Sequence, residues 1–167
     1  MTKKVLAFPV LFLITFVSHA IQAQTDLWLR LVPLESTRDD AEKILGKPEA
    51  KFETSGVYRN EIGKFTVWYS KGGCHSSVAG RQYDVPPQRF IGLIVYLARP
   101  LPLQFYVSDV SKFSKSASAF NDRRNLYTSA DESTTYETVV PPNGNEFVYS
   151  ISIEPSKDKL RFLCSAR

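Results

Sequence analysis

Cysteine, histidine and methionine are scarce in this sequence of 167 residues, which holds two, two and one of them. Two distant Cys and so few His supply no recognisable zinc set, which needs four ligands or three and a water. Long apolar runs are missing as well: nothing reaches the roughly 18 residues that a membrane-spanning helix requires. A single-sign charge excess is absent, since 21 basic residues stand against 17 acidic ones. That balance is not a polyanion-binding signature, and nucleic acid is not an expected partner once the export signal below is read. What is present is core-forming material: 43% hydrophobic and 13% aromatic residues with only 23% charged. Such a composition is that of a folded domain, and the length suits one.

Met1 to Ala23 divides into a positive start (Lys3, Lys4), an uncharged apolar stretch (Val5 to Val17) and a short, more polar segment ending in a small residue. These zones read as a cleaved secretory signal over residues 1–23, with cleavage expected after Ala23 and, as second choice, after Ala20. A buried N-terminal helix is the competing reading. Residues 24–167 then form a single domain of 144 residues in which 19 basic residues face 17 acidic ones and His75 is the only histidine. No Cys lies near the cleavage site, so neither a lipid anchor nor a transmembrane anchor is expected, and the protein is placed in the periplasm or outside the cell.

Export puts Cys74 and Cys164 in an oxidising compartment, and an even count without CxxC spacing reads as one structural disulfide. Closing a loop of about 90 residues would contribute up to ~4.6 kcal/mol in the chain-entropy model. An intermolecular bridge or two free thiols are the alternatives. Cys74-His75 is the only pair hinting at nucleophilic catalysis, but neighbours on an extended chain point in opposite directions, so this His is a poor base for this Cys. Lys71-Gly72-Gly73 lacks the spacing of a phosphate loop. Asp39, Asp40 and Glu42 are explained by their place at a helix start, and Asp131-Glu132 by a hairpin tip. No catalytic, cofactor or metal set emerges.

Along the chain, Leu27, Leu29 and Leu31 alternate as a short N-terminal strand. Ser36-Thr37 then caps an amphipathic helix of about ten residues, with Asp39 and Lys43 paired on its outer face, Gly46 at its end and Pro48 beyond. Gly56 to Asn60 and Phe65 to Ser70 make a hairpin around Glu61-Ile62-Gly63-Lys64. Lys71 to Arg89 reads as a long loop, Phe90 to Ala98 as a central strand, and Leu101 to Val107 as an edge strand. Lys112 to Asn125 reads as a loop or frayed helix. Strands follow at Leu126 to Ser129, Thr134 to Val140, Phe147 to Glu154 and Leu160 to Cys164. Phe147, Tyr149, Ile151 and Ile153 alternate with Val148, Ser150, Ser152 and Glu154, which gives that strand one wet face; Leu160, Phe162 and Cys164 share a face, which points Cys164 inward.

The hairpins align at an offset of about 69 residues, Tyr58 on Tyr127 and Val67 on Tyr136, and the following strands at about 57, Phe90 on Phe147. Two repeats of hairpin, loop and third strand are one reading of this echo, and an ordinary meander is the other. The fold class is α+β: an antiparallel sheet of six to eight strands with a short amphipathic helix packed on it.

The run from Pro33 through Ser36-Thr37, Asp39-Asp40 and Leu45-Gly46-Lys47-Pro48 resembles the helix motif of the SmpA/OmlA (BamE-like) envelope proteins, in which antiparallel strands follow. The same arrangement is similar to the wider group of proteins like β-lactamase inhibitor protein, where tandem helix-plus-sheet repeats form a protein-binding surface. Val57-Tyr58-Arg59, Trp68-Tyr69-Ser70 and Pro155-Ser156-Lys157-Asp158 also resemble uncharacterised exported bacterial proteins. This resemblance implies a non-enzymatic module that binds an envelope or secreted protein. Tyr58, Trp68, Tyr69, Tyr83 and Tyr96 are candidates for its contact face, because Tyr and Trp dominate hot spots. Arg89, Arg123 and Arg124 join them, the last two from a basic stretch, Lys112 to Arg124, with Phe113 and Phe120 interleaved. The alternative is a small hydrolase or ligand-binding protein with its site in the 71–89 loop, around Cys74, His75, Tyr83 and Arg89.

Overall fold

The computed structural model describes residues 28–78, 81–119, 121–142 and 144–164. The expected signal segment, residues 1–23, and Phe120 lie outside them. Helix α1 (Arg38–Leu45) forms where local chemistry dictates. Thr37 Oγ1 accepts from the Asp40 amide while the Asp40 carboxylate accepts from the Thr37 amide at 2.9 Å, and Gly46 closes the far end at φ 88°. These reciprocal bonds satisfy two of the orphan donors at the helix start. Lys43 pairs with Asp40 at 3.7 Å, one residue away from the expected Asp39.

Ten strands follow: β1 (Ala50–Lys51), β2 (Ser55–Arg59), β3 (Gly63–Tyr69), β4 (Gly73–Val78), β5 (Arg81–Val85), β6 (Phe90–Pro102), β7 (Phe113–Ser118), β8 (Asn121–Ser129), β9 (Thr134–Val139) and β10 (Phe147–Ile153). Eight make one antiparallel sheet in the order β1-β2-β3-β6-β10-β9-β8-β7, and β4 and β5 form a separate two-stranded ribbon. The protein is therefore α+β. The large sheet is a palindrome: each half of the chain supplies a short or polar edge strand, a hairpin and a third strand, and the two third strands meet at the centre.

One face of the sheet carries the main core. Phe65, Val67 and Tyr69 of β3, Leu93 and Val95 of β6, and Val148, Ile151 and Ile153 of β10 are buried there. Ala41 and Leu45 of α1 cover it, together with Trp28, Leu31, Leu103 and Val107. Each of these large side chains contributes roughly 1.5–3 kcal/mol through removal from water. A second cluster of Leu34, Tyr83, Val85 and Ile91, with Trp68, Phe162 and Leu163 against it, lies under the β4–β5 ribbon.

Several elements differ from expectation. Trp28–Arg30 is a 3₁₀ turn, not a strand, and buries the Trp28 ring. The 71–89 segment is the β4–β5 hairpin, not a loop. β6 runs on to Pro102 and ends in a 3₁₀ turn at Leu103–Phe105, so the expected edge strand over Leu101 to Val107 does not form. Lys112 to Asn125 contributes β7 and the start of β8, because pairing with a neighbour overrides weak strand propensity. The last segment is a 3₁₀ turn, Lys157–Phe162, followed by a lone bridge from Leu163 to Tyr83.

Candidate functional site

The site grows from an irregularity in β10. Strict alternation would place Phe147, Tyr149, Ile151 and Ile153 on one face. A bulge between Val148 and Ser150 instead inserts one residue into the pairing with both β6 and β9. Val148, Ile151 and Ile153 then face the core, while Phe147 and Tyr149 turn to the opposite, open face of the sheet. There Phe147 sits across from Pro102 on one side and Val139 on the other. Pro100, Val139, Pro141, Phe147 and Tyr149 line a cleft of about 500 Å³.

Beside the cleft the Tyr96 and Tyr149 rings meet edge-on, with centroids 5.8 Å apart. Such pairs contribute about 0.5–1.5 kcal/mol beyond area burial. Tyr96 is 40% exposed. Its cross-strand neighbours are Lys64 on β3 and Ser150 on β10. Arg124 lies 4.6 Å from the Tyr149 ring centre. Its guanidinium donates to Glu137 Oε1 at 3.0 Å, and Ser150 Oγ donates to Glu137 Oε2 at 2.8 Å. Glu137 thus helps hold Arg124 over the tyrosine ring. Lys64 is exposed and makes no ion pair among the described residues. The arrangement is aromatic and slightly cationic.

The far end of the open face is covered. Cys74 is bonded to Cys164, which fastens β4 to the C-terminal segment. Cys74 is exposed and Cys164 half-buried, so the bond is more open than the inward placement expected of Cys164. Glu132, at the β8–β9 turn, accepts from Arg81 at 2.7 Å and pairs with Lys157 at 3.0 Å. These two partners hold its carboxyl below the usual range. Among the described residues no group of three or more His, Cys, Asp or Glu is placed to hold a metal.

The candidates chosen from sequence scatter. Tyr58 and Tyr69 are each 1% exposed, their hydroxyls hydrogen-bonded at 2.6 Å, and Tyr83 is 2% exposed. These three are core residues and not a surface. Trp68 is half-buried beneath the β4–β5 ribbon. Arg89 is a staple: its guanidinium donates to the Glu35 carbonyl and its amide to Ser70 Oγ. Arg123 is exposed on β8. Of the named set, Arg124 alone joins Tyr96 at the open patch. The basic stretch is largely neutralised, with Lys112 paired to Asp109, Lys115 to Glu146 and Arg124 to Glu137. A nucleophilic Cys74 is removed by its bond to Cys164. Phe147, Tyr149, Glu137 and the two prolines were not singled out from sequence. Their signal is the apolar Val139-Val140-Pro141 end of β9, whereas the bulge that exposes Phe147 leaves no mark in the alternation.

No protein-family model and no curated protein sequence matches the chain. A solved structure described as a DUF4309 family protein (YjgB) from Bacillus subtilis is 11% identical, with a TM-score of 0.45 over 75% of this chain and 82% of that one.

Proposed function

We propose that this protein is an exported, non-enzymatic interaction module that docks a partner protein on the open sheet face. The observation that carries the reading is the uncovered aromatic patch: Tyr96 stands half out beside an apolar cleft, whereas Tyr58, Tyr69 and Tyr83 are buried. Tyr and Arg on a rigid sheet lose little entropy on binding and are the residue types that anchor interfaces. The partner's fit is an apolar side chain for the cleft, with an acidic side chain near enough to meet Lys64. The resemblance to BamE-like envelope proteins and to the β-lactamase-inhibitor-like group points the same way, as does the signal-like N-terminus.

A photo-crosslinking residue placed at Tyr96 and, as control, at Lys43 on the outer face of α1 tests this in native envelope. A defined adduct from position 96 that disappears with Phe147→Ser is expected. Absence of an adduct at 96, or the same adduct from 43, would refute the reading. With the partner in hand, Tyr96→Ala is expected to weaken binding by about 2 kcal/mol, some 30-fold.

A further inference from the structure

The open face is occupied at one end by elements that belong to neither half of the palindromic sheet. Among the described residues the β4–β5 ribbon forms no ladder with the eight-stranded sheet. It rests on Trp68 and Ile91 through Tyr83 and Val85, with Leu34, Phe162 and Leu163 completing the contact. The C-terminal segment adds a short third edge to it: Leu163 bridges Tyr83, and the Cys164 amide donates to the Gln82 carbonyl at 3.0 Å. Beyond those links the disulfide is the covalent tie between ribbon and tail. The two cysteines differ in exposure: Cys74 lies exposed on β4, the outer strand of the ribbon, while Cys164 is half-buried next to Leu163.

We propose that Cys74 is the entry point for thiol–disulfide exchange, and that its reduction releases the ribbon and the C-terminal segment as a flap. A small thiol or a dithiol reductase supplies the electrons. Its thiolate attacks Cys74 Sγ, forming a mixed disulfide and expelling the Cys164 thiolate, which takes a proton from water. A second thiol of the reductant then attacks the mixed disulfide, freeing Cys74 and leaving the reductant oxidised by two electrons. The direction of attack follows from the greater exposure of Cys74. Once free, the tail is held by the Phe162 and Leu163 contacts, the Lys157–Glu132 and Lys159–Glu35 pairs and a few hydrogen bonds, and the ribbon by its apolar contacts, the Arg81–Glu132 pair and a few hydrogen bonds. Lifting them uncovers Trp68, on the same face as Tyr96. The consequence for docking rests on the proposed function; the opening itself does not.

Two measurements on the full exported chain decide it. Exposure to limiting reduced glutathione, an acid quench and peptide mapping should place glutathione on the Cys74 peptide at least tenfold over the Cys164 peptide. Hydrogen exchange of the fully reduced protein should rise at least tenfold over 81–85 and 157–164, with β3, β6 and β10 unchanged. The double variant Cys74→Ser with Cys164→Ser, made without reductant, should show the same local pattern. Glutathione on Cys164 would overturn Cys74 as the entry point; unchanged protection of the ribbon, or loss of protection across β6 in both reduced protein and variant, would overturn the flap. Because neither readout involves a partner, failure here leaves the docking face standing, and failure of crosslinking at Tyr96 leaves the flap standing.

Discussion

The Arg38 side chain joins the start of α1 to two other elements. Its guanidinium stacks 4.3 Å from the centre of the Tyr69 ring and donates to the carbonyls of Phe52 and Glu53, both at 2.9 Å. Its Nε is buried without a partner. Truncation would take the side-chain donor from the Phe52 carbonyl, leave the Glu53 carbonyl only the Gln88 side-chain amide at 3.1 Å, and bare the ring face. Arg38→Ala is therefore expected to cost about 2–3 kcal/mol, read from the denaturant midpoint. Arg38→Lys should recover only part of this, because an ammonium lacks the planar fork and stacks poorly. The buried phenols set a pH limit. Burial raises the pKa of Tyr58, Tyr69 and Tyr136, and pushes Tyr106 up to about 12. Below pH ~10 these groups are protonated in both states and their contribution is whole. Above it the unfolded chain sheds protons that the fold retains, so stability falls as pH rises from there through the folded values. Alkaline unfolding beginning near pH 10, with a shallower slope in Tyr106→Phe, is the expected outcome of a pH series of melts.

At the scale of elements, Gly63 opens β3 with a close approach. A Cβ added there would lie 2.1 Å from the Tyr96 carbonyl oxygen. Gly63→Ala must push β3 from β6 at the strand position that carries Tyr96, and is expected to destabilise by about 1–3 kcal/mol. Hydrogen exchange should show the loss concentrated at Gly63 and Leu97, whose pairing it breaks. Elements were legible in the sequence in proportion to how locally they are determined. Helix α1 was readable because Thr37, Asp40 and Gly46 act within a few residues of one another. The β2–β3 hairpin and the central strand β6 were readable from apolar patterning. β7 was not, since the Ser-rich stretch around Lys115 becomes a strand only through pairing with β8. Lys115 then folds toward Glu146, 2.7 Å away, and the Tyr127 ring.

On the scale of the whole molecule, the echo between the chain halves reappears as the palindromic strand order. The hairpin correspondence holds by face: Tyr58, Tyr127, Val67 and Tyr136 all turn toward the core. The third-strand correspondence does not, since Phe90 is buried in the core whereas the β10 bulge sends Phe147 to the open side. Where the first half inserts the β4–β5 ribbon, the second half makes a short connection, and so the open face is capped at one end and bare at the other.

What the sequence determined by itself is the material and its local grammar: an α+β composition, one capped helix, hairpins at their turns and a single pair of cysteines. Only the tertiary structure decided which aromatics are surface and which are core. A one-residue bulge reverses the facing of every side chain on one side of it, because the strand period is two. The cysteines, few enough to notice at first reading, acquire their meaning the same way, from the ribbon and tail that the fold brings together over Trp68.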